Sequence, residues 1–377
     1  MTRSASEASA GTGHRGPVTV RVPSTGAVEP VEALVAAVAP VDEAAAAAAR
    51  QYHDALAKPP GSLGHLESVG AQLAAIACHC PPPEPSHPWL LLAAGDHGVH
   101  REGVNAWPQE VTAVIVAAAC GGRSVSGALA GAGGIDMTVL DAGLAHDPGD
   151  LPALVRRPGG AGTRNLHREP AMTLEQCRAT ITASAAVVHG MVDDGADLLL
   201  LGEMGMANTT VSAGLIAAVT GAAAADVTGT GAGADGPILA RKLAVVEAAA
   251  GRAADLEPLA VLATIGGYEH AALVGAMLAA AGRRIPVVLD GVVTNAAALI
   301  AVGLQPSVAG YLIASHRSAE PGATVALSRL GLRPLLDLDL RLGEGSGALL
   351  ATPLVTAAAA VLARTATLDE LAAQPDG

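Results

Sequence analysis

Glu344 stands in the run Gly343-Glu344-Gly345-Ser346-Gly347, a carboxylate among glycines with no side-chain cation within two residues. Glycines allow a ligand or another backbone to come close, and a lone acid in such a turn suits a general base. A surface turn is the plainer alternative. Glu203 lies in Gly202-Glu203-Met204-Gly205, just ahead of Asn208-Thr209-Thr210. There a predicted strand passes into a predicted helix, whose first turn offers backbone N–H groups to a phosphate. A tight turn capped by Asn208 or Thr209 accounts for the same spacing. A second glycine loop, Val227-Thr228-Gly229-Thr230-Gly231-Ala232-Gly233, is not the dinucleotide fingerprint, and a flexible linker explains it nearly as well. Lys242 follows it as a candidate partner for an anion, although a single helix lysine is more often solvated. Cys78-His79-Cys80 lacks a matching second pair, so ordinary loop residues explain it better than a metal site. Neither a Gly-x-Ser-x-Gly elbow, a Walker loop nor a His-Glu-x-x-His motif occurs in the sequence.

Composition narrows the classes. The chain has 377 residues and a formal net charge of -13. So acidic a protein repels nucleic-acid backbones, and an anionic substrate must be held locally by a few cations and backbone N–H groups. Four cysteines in this length are not a disulfide framework. Residues 1–25 lack an apolar signal core and are expected to be a disordered tail. The longest weakly polar run, 211–225, is too short to cross a bilayer, so a cytoplasmic protein is expected.

The elements that must position these residues alternate. Helices are expected over 41–57 and 65–77, the first stopped by Pro59 and Pro60, with a proline-rich linker at 81–85. Short apolar runs at 89–94, 137–141, 197–201, 261–265, 286–290 and 308–314 read as buried strands, most ending in Gly, Asp, Glu or His. Helical stretches at 108–119, 210–219, 240–250 and 269–281 lie between them. Alternation of this kind predicts an α/β fold, a Rossmann-like parallel sheet with helices on both faces. Ligands bind beyond the carboxyl ends of such strands. Residues 26–85 and 330–372 are expected to form a small helical domain, and 86–329 the large α/β domain.

Six blocks, KPPGSLGHLE (58–67), GDHGVHREGVNAWPQEVT (95–112), GEMGMANTT (202–210), GGYEHAALVGAMLAAAGRRIPVVLDG (266–291), SAEPG (318–322) and PLLDLDLRLGEGSGALLA (334–351), run in one order along the chain. In this the chain resembles the nicotinate-nucleotide:dimethylbenzimidazole phosphoribosyltransferases. The resemblance implies a homodimer that transfers the phosphoribosyl group of nicotinate mononucleotide to 5,6-dimethylbenzimidazole or a similar base, giving alpha-ribazole 5'-phosphate and nicotinate for the cobalamin lower ligand. It implies Glu344 as proton acceptor, with Glu203, Met204 and Leu342 near the reacting base. Gly205, Lys242, Asp290 and Ser318 fall on the nucleotide side. Trp107 stands near the base pocket, where the family often has Tyr or Ser. Departures are Thr230 in place of an arginine in the second glycine loop, Ala323 in place of a histidine after SAEPG, and DGVVTNAAA in place of DGFISTAAA.

The chemistry stands without the family. The nicotinate of the mononucleotide is already a pyridinium, so it leaves without metal or acid, and one carboxylate can take the N–H proton of the incoming base. Diphosphate-using phosphoribosyltransferases carry two adjacent acids where this chain has Asp290 alone, and no cofactor or metal is expected. Other readings are transfer to adenine or a phenol, a nucleotide sensor that keeps the fold, and a dinucleotide oxidoreductase. The last lacks a G-x-G-x-x-G after the first strand. Intact Glu344 and Glu203 weigh against the sensor.

Overall fold

The computed structural model describes residues 29–157 and 159–373, so the expected tail at 1–25 lies outside the described residues. Six strands form one sheet: β1 Pro88–Gly95, β2 Asp136–Gly143, β3 Leu154–Arg156, β4 Leu198–Met204, β5 Val287–Leu289 and β6 Leu312–Ala314. The order is β3-β2-β1-β4-β5-β6 and every pairing is parallel. This is the doubly wound order of the Rossmann fold, which reverses direction between β1 and β4.

Continuous apolar runs make the central strands because both faces are covered. Leu91, Ala93, Leu199, Leu201, Val287 and Leu289 point to one core. Leu90, Leu92, Leu198, Leu200 and Val288 point to the other. The first core is roofed by the helices Leu174–Asp193, Asn208–Thr220, Tyr268–Gly282 and Val292–Leu304. Beneath the second lie His65–Ala77, Val111–Cys120 and Ser346–Arg364. Asp42 caps the Glu43–Ala55 helix by accepting from the backbone of Ala44 and Ala45. N- and C-terminal segments meet where Ala57 N–H donates to Ala366 O at 2.9 Å.

Two expectations about elements are corrected. Residues 261–265 are not a strand but the end of the helix Pro258–Ile265. A five-residue apolar run does not separate buried strand from buried helix, and Pro258 at the first helical position decides for helix. Residues 306–311 wind as a 3-10 turn, which leaves β6 only three residues. The edge strand β3 carries no readable pattern at three residues. The expectation about apolar length is corrected too: Val111–Gly133 and Ser346–Arg364 are long and apolar enough to cross a membrane by length and composition. Val116, Ala119, Ala348 and Val355 of these stretches are buried against the sheet.

With no Phe, close packing of small residues builds the core. At Gly275 the Tyr268–Gly282 helix crosses Leu174–Asp193 so closely that a Cβ would strike the carbonyl oxygen of Ile181. Backbone cannot rotate away. Gly275→Ala is expected to cost about 1–3 kcal/mol by overpacking, read as a fall in Tm; an unchanged Tm would show that the helices separate freely.

Candidate active site

A cavity of about 380 Å³ opens beyond the carboxyl ends of β1 and β4, lined by residues from Val104 to Glu344. That is the place the strand order dictates. Glu203, Glu344, Trp107, Met204, Gly205, Lys242, Ser318 and Leu342 all line it. Asp290 stands behind this lining.

Glu203 is the next-to-last residue of β4 and is buried. The amide of Asn208 donates to its carboxylate, while the cap position of the Asn208–Thr220 helix falls to Ala207, which has φ +76° and no side-chain cap bond. Neither Asn208 nor Thr209 is therefore the cap. Burial, and then the carboxylates of Asp290, Glu269 and Glu344, hold the Glu203 carboxyl well above its ordinary range, against the Asn208 hydrogen bond.

Glu344 reaches the cavity from a strained turn, with φ +58° between two glycines of positive φ. The turn docks on β4: Glu344 N–H donates to Glu203 O at 3.2 Å. Only glycine fits at 202, where a Cβ would lie 2.6 Å from Gly345 N. The Glu344 carboxylate accepts from Ser126 N–H at 3.3 Å and from Ser126 Oγ at 3.2 Å. Ser126 sits in the first turn of the Val125–Gly133 helix, the end whose dipole favours a carboxylate.

Asp290 fixes that turn. Its carboxylate accepts from Gly347 N–H at 2.7 Å, Gly345 N–H at 3.1 Å and Ala348 N–H at 3.4 Å, at the start of the Ser346–Arg364 helix. Burial pushes its carboxyl up to about 7, with those backbone donors pulling the other way. His316 Nδ1 lies 3.8 Å away, and burial holds this imidazole down at about 4.

The other side of the cavity is basic. Lys242, on the Gly236–Ala253 helix, is 1% exposed. Its ammonium donates to Gly229 O at 2.8 Å and Thr209 Oγ1 at 2.9 Å. An ammonium has three donors, so one remains for a ligand. Burial draws Lys242 down to about 8, opposed by the Glu320 carboxylate. Glu320 itself accepts Gly231 N–H at 2.7 Å, so the second glycine loop spends that donor internally. Arg341 donates to Gly231 O at 3.3 Å and also lines the cavity. Trp107 is 54% exposed, and its indole N–H donates to Ala232 O at 3.2 Å, joining two loops 125 residues apart across the mouth.

Sequence reading missed Ser126, Glu320, His316 and Arg341. Arg341 and Glu320 lie inside quoted blocks, so their neighbours were a signal. Ser126 had none, because a helix remote in sequence brings it to Glu344.

A doubly wound sheet with a buried ammonium, a helix N-terminus and two carboxylates at its switch point defines an enzyme that handles a small phosphorylated substrate. A phosphoribosyltransferase family model matches residues 38–372. A nicotinate-nucleotide–dimethylbenzimidazole phosphoribosyltransferase of Salinispora tropica is 47% identical over 355 residues, covering 90% of this chain and 98% of the relative. One from Deinococcus radiodurans is 46% identical over 351 residues, 91% and 95% of the two chains. A crystal structure of CobT from Thermus thermophilus superposes with TM-score 0.85 at 41% identity, covering 88% of this chain and 100% of that one. The chain belongs to the nicotinate-nucleotide:dimethylbenzimidazole phosphoribosyltransferase family.

Proposed function

We propose that this chain transfers the phosphoribosyl group of nicotinate mononucleotide to 5,6-dimethylbenzimidazole or a similar base, giving alpha-ribazole 5'-phosphate and nicotinate for the cobalamin lower ligand. The observation that carries it is the joint lining of one cavity by a buried ammonium, Lys242, and a carboxylate held by Ser126, Glu344. Lys242, with the first turn of the Asn208–Thr220 helix and Arg341, takes the phosphate. The bond from ribose C1' to the pyridinium nitrogen breaks, and its electron pair leaves with nicotinate. A ring nitrogen of the base bonds to C1', and its N–H proton passes to Glu344.

Trp107 offers its exposed ring face to the flat base. Trp107→Ala is expected to raise the KM for the base several-fold more than that for the nucleotide, since stacking adds about 0.5–1.5 kcal/mol beyond area. Equal changes in both would make Trp107 only the anchor of its loop through Ala232.

The protein works as a cytoplasmic homodimer. Cys78, Cys80, Cys120 and Cys177 are all free thiols, as suits a reducing compartment. Trp107 and Leu342, each at least half exposed and lining the cavity, and the exposed Val114 of the Val111–Cys120 helix are apolar surface that a second subunit would cover. Light scattering giving the monomer mass at working concentration would remove the dimer. Of the helical unit expected over 26–85 and 330–372, the described residues from 29 on are joined by the Leu56–Thr367 bridge and by His65–Ala77 lying on Ser346–Arg364, which supports their acting together.

The deciding experiment incubates the protein with nicotinate mononucleotide and a panel of bases and identifies products by mass. A base ribotide phosphate with equal release of nicotinate is expected. Absence of any such product with every base would overturn the function.

A further inference from the structure

The ends of β5 and β6 bring a polar group to the cavity that the reaction as drawn does not use. His316 stands two residues after β6 and lines the cavity with Gly291 and Ser318. Its side chain is 3% exposed. Gly347 closes over one edge of the ring, where a Cβ at 347 would strike Nδ1. The Cε1–Nε2 edge turns to Gly291: a Cβ there would lie 3.7 Å from Cε1 and 3.8 Å from Nε2. It would lie 3.8 Å from Ser318 Oγ as well. Two polar atoms thus meet over Gly291. The chain does not demand glycine at this place. Gly291 has φ -97° and ψ -152°, backbone that any residue adopts, and the three distances are ordinary van der Waals contacts. Its bare Cα leaves room for a ligand instead.

The neighbours of the ring decide where its hydrogen sits. Ser315 Oγ donates to Asp290 O at 3.4 Å and lies 3.0 Å from His316 Nδ1. A serine has one proton, and a carbonyl can only accept. Ser315 therefore accepts from His316, which puts the hydrogen on Nδ1. That side also faces the Asp290 carboxylate, at 3.8 Å. Burial favours the neutral ring, at about 4, and Nε2 of a neutral ring with hydrogen on Nδ1 is an acceptor. No described residue donates to Nε2. Ser318 Oγ accepts from Glu320 N–H at 3.3 Å, and no described residue takes its proton. An acceptor and a donor are left side by side.

We propose that His316 recognises the sugar of the nucleotide: Nε2 accepts the hydrogen of a ribose hydroxyl, the oxygen of that hydroxyl accepts from Ser318 Oγ, and the space over Gly291 thereby selects ribose over deoxyribose. A hydroxyl donates and accepts at once, so it matches the pair. A phosphate dianion has no hydrogen to offer Nε2, and its charge is met by Lys242. The placement agrees. Through Gly347 the ring packs on the turn of Glu344, which receives the proton of the base. Ser318 leads the other way, through Glu320 to Gly231 N–H, and a Cβ at Gly231 would lie 3.0 Å from Lys242 Nζ. Between the base end and the phosphate end lies the ribose.

The inference rests on the phosphoribosyl reading for the choice of nucleotide, and its test needs no turnover. Calorimetry on the full chain gives the Kd of nicotinate mononucleotide and of its 2'-deoxy and 3'-deoxy forms. Leaving a buried polar group unpaired costs a factor of about 5–160, so one deoxy form is expected to bind the parent more weakly than the full nucleotide by about that factor. His316→Asn has an amide that overlies Nδ1 but does not reach the place of Nε2. It should bind the full nucleotide as weakly as that deoxy form, with the discrimination lost. His316→Gln carries an amide oxygen to the place of Nε2 and should restore much of it. A purely structural role would weaken all three nucleotides alike and leave their ratio as it was. Gly291→Ala fills the same space and should narrow the ratio with Tm unchanged; it decides alone if neither histidine variant folds. Equal binding of the three nucleotides by the parent, or an unchanged ratio in the variants, would overturn the proposal. Discrimination as expected without product from any base would keep it and remove the transfer reading; product without discrimination would do the reverse.

Discussion

Glu344→Gln is expected to lower kcat by about 10²–10⁴-fold, the usual range for general-base help. That corresponds to roughly 3–5 kcal/mol of lost transition-state stabilisation at about 1.36 kcal/mol per decade. Glutamine keeps the size of the side chain and can still accept from Ser126, whose N–H and hydroxyl lie 3.3 and 3.2 Å from the carboxylate. It cannot take a proton. The φ +58° turn and its bonds to Asp290 and Glu203 are untouched, so the KM for the nucleotide should stay nearly constant, the pattern of an interaction made in the transition state. A variant that kept more than about a third of the parent kcat, far outside that range, would move the base role elsewhere in the cavity.

Replacing Lys242 should act on the nucleotide instead. Lys242→Met removes the buried ammonium while keeping much of its packing. Hydrogen bonds to charged groups contribute about 1.5–3 kcal/mol, so kcat/KM for the nucleotide should fall by about 10–160-fold. The pH dependence has a definite sign. Burial places the parent ammonium at about 8, so it is charged below that pH and neutral above. Nucleotide kcat/KM should hold below about 8 and decline as pH rises through it, and the decline should be absent in Lys242→Met. A loss of Tm without a change in KM would show that Lys242 only ties Gly229 to Thr209. Glu320, left without its cation, makes the melting control necessary.

Much of the fold was legible because period and punctuation are local properties. The helix at 65–77 was expected with the bounds it has, His65–Ala77, between Gly64 and Cys78. The run 89–94 lies wholly within β1, since a strand buried on both faces leaves a continuous apolar stretch. Where local signals are ambiguous the reading failed: 261–265 is as apolar as a strand, and only its packing as the end of Pro258–Ile265 distinguishes it. The resemblance implies Asp290 on the nucleotide side, and nothing in its neighbours along the chain shows what else its carboxylate meets. The structure uses its carboxylate to cap the Ser346–Arg364 helix and hold the Glu344 turn.

By itself the sequence determined the alternating elements, the family, and the chemical types present: two acids beside glycines, one candidate lysine and one tryptophan in a loop after a strand. Those follow from residue type and spacing along the chain. Only the tertiary structure decided what each group touches. Ser126 meets Glu344 from 218 residues away, Glu320 takes Gly231 N–H from 89 residues away, and His97 and His270 meet on Glu269 because β1 and the Tyr268–Gly282 helix end at one point. Burial and neighbouring charge set the proton affinity of a carboxylate, and both are properties of the packed molecule. Glu203 and Glu344 are alike in sequence, each an acid beside glycine; one is crowded by carboxylates and the other held by a serine at a helix N-terminus.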